Sequence, residues 1–361
     1  MTQKNEKPSK KVAILVENEF EDVDFKIPHT ALKQTGAIVT VIGARMNDAY
    51  KSHHGTLSVT PDATAAELKA EDFDAFFILG GSNRVNPNVV RLIQDAIALQ
   101  KWIVAIGFGP QVLIETHRLA GKQVTGFRAI KTDLENAGAV YLDAPTAVDT
   151  PFITARRPGD LPIVMTTLFR LLQLSTHQKK LPQTNHIHHH DWWALGESWG
   201  GSSRLDLVKA LNTAIVGERY TLEEMKQYRH NAKDPELASL LGEIVASKQK
   251  HIQQLKGHLH DGFGEAVTWQ ALGGEALAAL QSWIQSSDDY SIIRKTLGDL
   301  QTGIIDAYRL CNQLSDPVTA EILDAIAADL AKYEQRLAVL YRNRSLVPAR
   351  PPLPTTVSIV H

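Results

Sequence analysis

The chain has one cysteine in 361 residues, Cys311. A single thiol cannot close an intramolecular disulfide, so a secreted disulfide scaffold is excluded and a reducing cytosol suits the composition. Net charge is also nearly absent: 38 Lys and Arg stand against 40 Asp and Glu, a formal charge of −2. That balance gives no electrostatic reason to expect nucleic acid or an anionic membrane as partner. Long hydrophobic runs are missing as well. No stretch reaches the ~18 apolar residues of a membrane span. The polar start, Met1 to Lys10, lacks the apolar core of a secretory leader. The expectation from these absences is a cytoplasmic protein.

What remains is the composition of an ordinary globular chain, 43% hydrophobic and 22% charged, long enough for two domains. Its focus is Ile103 to Leu113, an apolar run that ends in Gly107-Phe108-Gly109 and passes at Pro110 into a helical pattern. That is the layout of a nucleophile elbow, a tight strand-to-helix turn that raises one side chain over the end of a parallel sheet. The raised position is Gly107, which has no side chain.

Around it, short apolar runs alternate with helical spacing. Lys11 to Val16, Ala37 to Gly43, Leu57 to Thr60, Ala75 to Leu79 and Trp102 to Ile106 read as strands. Val23 to Gln34, Ala63 to Leu68 and Asn88 to Leu99 read as helices, with Gly36 ending the first. This alternation predicts a doubly wound, flavodoxin-like α/β sheet with its sites at the carboxyl ends of the strands. Three such ends are Glu21, Gly80-Gly81-Ser82 and Gly107-Phe108-Gly109.

These residues resemble the ThiJ/PfpI family on the class I glutamine amidotransferase-like fold. The resemblance runs from about Lys11 to Gln173. It is carried by Glu19-Phe20-Glu21-Asp22-Val23, Leu79-Gly80-Gly81, the elbow, Lys131 to Ala139 and Arg156-Arg157-Pro158-Gly159-Asp160-Leu161-Pro162. The family's usual elbow reads Ala-Ile-Cys-His-Gly, with a nucleophilic cysteine hydrogen-bonded by the acid that matches Glu21. Backbone N–H groups at the Gly80-Gly81 turn match an oxyanion hole. Here Gly107 and Phe108 replace the cysteine and histidine. Thiol chemistry needs a sulfur, so no catalytic residue is expected, and Glu21 reads as a relic acid. The resemblance also implies a homodimer formed through this domain.

From Thr176 to Ser203 the character changes, with Pro182, a His-rich run and three tryptophans. His186, His188 and His190 would share one face of an extended segment and are candidate metal ligands, although such short His runs are more often solvated linker. Trp192, Trp193 and Trp199 have apolar area to bury and read as anchors that dock the segment.

Beyond Arg204 the pattern is helical. One stripe contains Leu205, Val208, Leu211 and Ile215; another contains Leu237, Leu240, Leu241, Ile244 and Ile252. Asp234 to Leu255 also repeats, without a gap, as Asp316 to Leu337. Two helical hairpins joined across Gly257 to Ser287 predict an all-α four-helix bundle with one long crossover, which resembles the ferritin-like plan. The expected division is a polar arm at 1–10, an α/β domain at 11–175, a linker at 176–203, a bundle at 204–343 and a Pro-rich tail at 344–361.

The ferritin-like resemblance implies Glu on the first and third helices and Glu-x-x-His on the second and fourth. Glu218 and His251 stand in place, the candidates for a single-metal site. Lys248, however, occupies the second-helix Glu position, Leu330 and Tyr333 replace the last pair, and the third helix offers Gln301 with Asp306. No metal and no other cofactor is therefore expected, and Glu218, Lys248, His251 and Tyr333 read as a residual polar network. Cys311 reads as a small buried hydrophobe. The leading functional expectation is a non-catalytic protein that binds an unidentified small molecule or protein, acting as a scaffold or in a stress response. Two alternatives are a lyase or hydrolase using Glu21 as general base, and a metal-dependent stress or redox protein.

Overall fold

The computed structural model describes residues 9–344 except 47, 54, 81–85, 177–180, 186, 190 and 269–287. It divides into two compact units. The first comprises Met1–Ser203 with Gln313–Val318, and the second comprises Arg204–Asn312 with Thr319–His361.

In the first unit, the strands are β1 (Lys11–Leu15), β2 (Ile38–Gly43), β3 (Tyr50–Lys51), β4 (Ser58–Val59), β5 (Ala63–Thr64), β6 (Ala75–Ile78), β7 (Trp102–Ile106), β8 (Gln123–Val124), β9 (Val140–Tyr141), β10 (Thr146–Asp149) and β11 (Phe152–Ala155). Seven of them form one sheet in the order β10-β11-β7-β6-β1-β2-β5. All its pairings are parallel except β10 with β11. The central strands are covered on both sides, which is why they read as unbroken apolar runs: Ile103 to Ile106 are 0% exposed.

Helices α1 (Asp22–Gln34), α2 (Pro87–Ala98), α3 (Pro110–Glu115), α4 (Lys131–Asn136), α5 (Leu161–Leu172) and α6 (Trp192–Ser198) supply the two outer layers. Phe25, Ile27 and Leu32 of α1 share a core with Leu161, Val164 and Phe169 of α5. Leu92 and Ile93 of α2, Leu113 of α3 and Leu134 of α4 line the opposite face. Trp192 and Trp199 are buried in the α1/α5 layer, so the aromatic stretch after Pro182 adds its indoles to this unit's own core.

Two strand and helix readings are corrected. Ala63 to Leu68 is not helical: Ala63 and Thr64 form the edge strand β5, and Thr64 then donates to the Glu67 carboxylate through its N–H at 2.8 Å and its hydroxyl at 2.7 Å. That local turn competes with a helix, as short polar side chains do. The run from Leu57 pairs as β4 with β3 in a separate antiparallel ribbon, outside the main sheet.

The second unit contains α7 (Arg204–Asn231), α8 (Pro235–Phe263), α9 (Asp289–Gln313) and α10 (Pro317–Arg344). The repeated Asp-Pro steps start α8 and α10. At α8 the Asp234 carboxylate accepts from the Glu236 N–H at 2.9 Å and Pro235 takes the first turn. The helix α8 runs through to Phe263 and closes at left-handed Gly264, so the connection to α9 is shorter than the expected Gly257 to Ser287. The inward stripe of α7 is also shifted: Leu207, Leu211 and Ile215 are buried, whereas Leu205 is 74% exposed.

Candidate functional site

The elbow is built by close backbone approach. Strand β7 lies between β11 and β6 and delivers Gly107 to the carboxyl edge of the sheet. There its N–H donates to Ala155 O at 3.0 Å and its carbonyl accepts from Phe127 N at 2.9 Å. Gly107 has φ +61°, a conformation that glycine adopts without strain. A Cβ there would meet nothing nearer than the Arg156 carbonyl at 4.0 Å. Gly109 is different: a Cβ would fall 2.5 Å from Ile78 O and 2.9 Å from Ile106 O, so only glycine fits. The turn is therefore intact, and its raised position has room for a side chain it does not carry.

The neighbouring groups are held firmly. Arg156, buried beside the elbow, donates to Asp160 at 3.3 Å and to Asp143 at 3.1 Å. Burial alone would raise Asp143, but the Arg156 hydrogen bond and the Arg128 charge bring it below the usual carboxylate range. Phe108 turns outward, 39% exposed, and its ring meets Phe127 with centroids 4.8 Å apart. Beneath it lies a cavity of about 30 Å³, bounded by Val16, Glu17, Gly43, Asn86, Phe108 and Val112. That is room for about one water.

Glu21 is half-buried at the start of α1, and its side chain makes no capping hydrogen bond to that helix. Gly80 approaches the Phe108 N–H, where a Cβ would come to 3.4 Å. Its neighbour Gly81 lies outside the described residues. Two acids that motif reasoning passed over stand near Glu21 in the chain. Glu17, not Glu21, lines the small cavity, and burial raises its carboxyl against the lowering pull of the Asn18 N–H and Arg45. Asp24 is 3% exposed; burial first, then the Glu21 charge, push it well above the ordinary range. The run Glu17-Asn18-Glu19-Phe20-Glu21 did signal several acids, but not which of them the strand end would turn inward.

In the linker, His186 and His190 lie outside the described residues, and His188 is exposed on a short 3-10 turn.

The second unit gathers a different set. Lys248 Nζ lies 3.0 Å from Glu218 Oε1, and His251 Nδ1 lies 2.9 Å from Glu218 Oε2. On the far side of the imidazole, Nε2 is 3.3 Å from Asp329 Oδ2 and 3.2 Å from Ser247 Oγ, and Ser247 also donates to Asp329. Burial would raise Glu218, but the Lys248 charge and the His251 hydrogen bond hold it below its ordinary value. Tyr333 touches the edge of this set, with its hydroxyl bonded to Ser247 and raised mainly by burial. Ser247 and Asp329 occupy equivalent positions of the repeat, 82 residues apart, a signal that could have paired them. Gln301 is elsewhere, donating to Glu334 at 3.0 Å.

Sequence patterning did not point to a second acid pair, half-buried Glu224 of α7 and buried Asp299 of α9. Burial, then the Asp299 charge, raise Glu224 to about 8. Tyr228, on the same face of α7, is pushed up by burial and by both carboxylates. Nothing in the local pattern joins residues this far apart in the chain.

An α/β unit ending its central strand in a tight elbow, joined to four long helices with an ion-paired interior, defines the class. Residues 10–171 match the DJ-1/PfpI family. YraA of Bacillus subtilis, named provisionally as a cysteine protease, is 38% identical over 157 residues, covering 42% of this chain and 92% of that protein. General stress protein 18 of the same organism is 35% identical over 158 residues, with the same two coverages, 42% and 92%. The chain belongs to the DJ-1/PfpI family. Both units are matched by the crystal structure of an Anabaena variabilis protein containing DJ-1/ThiJ/PfpI-like and ferritin-like domains. It is 44% identical with a TM-score of 0.89, and the match covers 96% of this chain and 99% of that one. The second unit is ferritin-like.

Ferritin-like bundles can hold paired metal ions between facing helices. The residues here do not fit such a pair. The Lys248 ammonium sits on the Glu218 carboxylate, and the corresponding position on α10 is Leu330, buried and without a donor. Among the described residues, no group of three or more His, Cys, Asp or Glu is placed to hold a metal ion. Nor is any described helix long and apolar enough to cross a membrane.

Proposed function

We propose that this protein works by binding and not by thiol catalysis: a DJ-1/PfpI domain that has kept its elbow without the nucleophile, fused to a ferritin-like bundle that works without a metal pair. The observation that carries this reading is Gly107, at the raised position of an otherwise complete turn. The chain's one sulfur nucleophile, Cys311, is 3% exposed among the helices of the other unit, with its thiol directed to the Ala320 carbonyl. Losing a nucleophile removes many orders of magnitude of rate. The outward Phe108–Phe127 pair gives the elbow an apolar face suited to a small apolar ligand or a protein partner. The name of the Bacillus subtilis relative, General stress protein 18, supports a stress-response setting. We further place the protein in the cytoplasm as a homodimer formed through the first domain. Light scattering on the purified chain tests the dimer.

The catalytic test is turnover. Purified protein incubated with peptide and 2-oxoaldehyde substrates is expected to show no rate above buffer. A kcat of order 1 s⁻¹, ordinary for an enzyme, overturns the proposal. A second reading keeps acid–base chemistry at Glu21 and draws support from buried Asp24, whose carboxyl is pushed up by burial and by the Glu21 charge, since two neighbouring carboxyl groups suit paired acid and base roles. Under that reading a bell-shaped pH–rate profile appears and vanishes in Glu21→Gln.

A further inference from the structure

The structure assigns Lys248 the role of a tethered cation. Its ammonium takes the charge-compensating place of a metal ion within the bundle, and so makes the acidic interior self-neutralising and closed to divalent ions.

The argument starts from cost. A buried carboxylate and a buried ammonium are each expensive to desolvate, and each persists only with a close partner of opposite charge. The Lys248 side chain is 2% exposed and that of Glu218 9%, and they meet at 3.0 Å. Glu218 divides its two oxygens: Oε1 receives Lys248 and Oε2 faces His251 Nδ1. The imidazole is in turn fixed by Asp329 and Ser247 at Nε2. A carboxylate, an imidazole Nδ1 and a second carboxylate orienting the ring from behind are the parts of a divalent-cation site for a first-row metal. In this chain the imidazole meets Glu218 directly, and the other carboxylate oxygen, which a metal ion would need, is taken by the Lys248 ammonium. The Lys248 charge also reaches Glu224, whose carboxyl it pulls down against the raising effects of burial and Asp299. A divalent ion beside Glu218 would lie within a few ångströms of a fixed positive charge, and like charges at that range inside a protein repel strongly.

Three variants of the full-length protein test this. In Lys248→Met, Glu218 loses its cation, and the melting temperature is expected to fall by about 10 °C. Lys248→Met with Glu218→Gln removes both charges, and most of that loss is expected to return. Lys248→Glu converts the position into a third donor beside Glu218 and His251. It is expected to take up one Co²⁺ per chain, seen by visible absorption and elemental analysis, with a melting temperature that rises as Co²⁺ is added. Wild type is expected to bind less than a tenth of an ion per chain. The proposal is overturned if wild type itself binds one ion per chain, if Lys248→Met melts with wild type, or if a folded Lys248→Glu takes up no more Co²⁺ than wild type. Should Lys248→Glu fail to fold, the comparison of the single with the double variant decides.

Discussion

The elbow of the first unit and the polar interior of the second show two ways in which a reactive position can be emptied. At the elbow the side chain is gone, and the backbone keeps its turn at no cost, because glycine relaxes the one strained residue. In the bundle a charged side chain has moved in. A buried ammonium cannot be neutral to its surroundings: Lys248 is held by Glu218, which leads on through His251 to Asp329 and Ser247 as one connected set. Deletion leaves space, whereas substitution by a charge leaves dependence. The first kind of change should be easy to reverse and the second hard to disturb.

That contrast can be broken by mutation. The largest effect is expected for Glu218→Ala, which strands Lys248 without its anion. It should cost about 3–5 kcal/mol in urea denaturation, and a cost below 1 kcal/mol would mean the pair matters little. Gly109→Ala should cost about 2–4 kcal/mol, because the new Cβ meets two backbone carbonyls that cannot move away. Next is pH. Glu218 is held below its ordinary 4.5 in the folded chain. Its contribution is therefore complete at neutral pH and is lost as pH falls through the acid range. Glu224 behaves in the opposite sense: its folded value of about 8 lies above 4.5, so stability declines as pH rises between the two. Because Glu224 is only half-buried, solvent screening reduces the effect. Glu224→Gln should stabilise by about 1–2 kcal/mol at pH 8 and change little at pH 4, read from melting temperatures in matched buffers. The smallest effect belongs to Gly107→Ala, about 1 kcal/mol for a Cβ at positive φ. A loss as large as that at Gly109 would remove the distinction between an open and a closed elbow position.

Much of this was legible from the chain alone, for reasons that differ by element. The strand Lys11 to Leu15 and the elbow announce themselves because buried parallel strands need unbroken apolar runs and the turn needs glycine. The bundle announces itself by repetition, since Asp234-Pro235 and Asp316-Pro317 begin equivalent helices. The stretch Ala63 to Leu68 misled because its apolar spacing suits either form, and the Thr64–Glu67 hydrogen bonds decide the matter. Glu218 and His251 were visible through a spacing rule, and so was the intrusion of Lys248. The Glu224–Asp299 pair was not, because its members meet only once α7 and α9 pack, and no local rule connects them.

The sealed position of Cys311 has a practical corollary. With its lone native thiol sheltered among helices, the chain is a ready background for site-directed labelling. A cysteine installed at Gly107 would be the sole readily accessible thiol, and a dye or spin label attached there would report directly on whatever approaches the rim of the sheet.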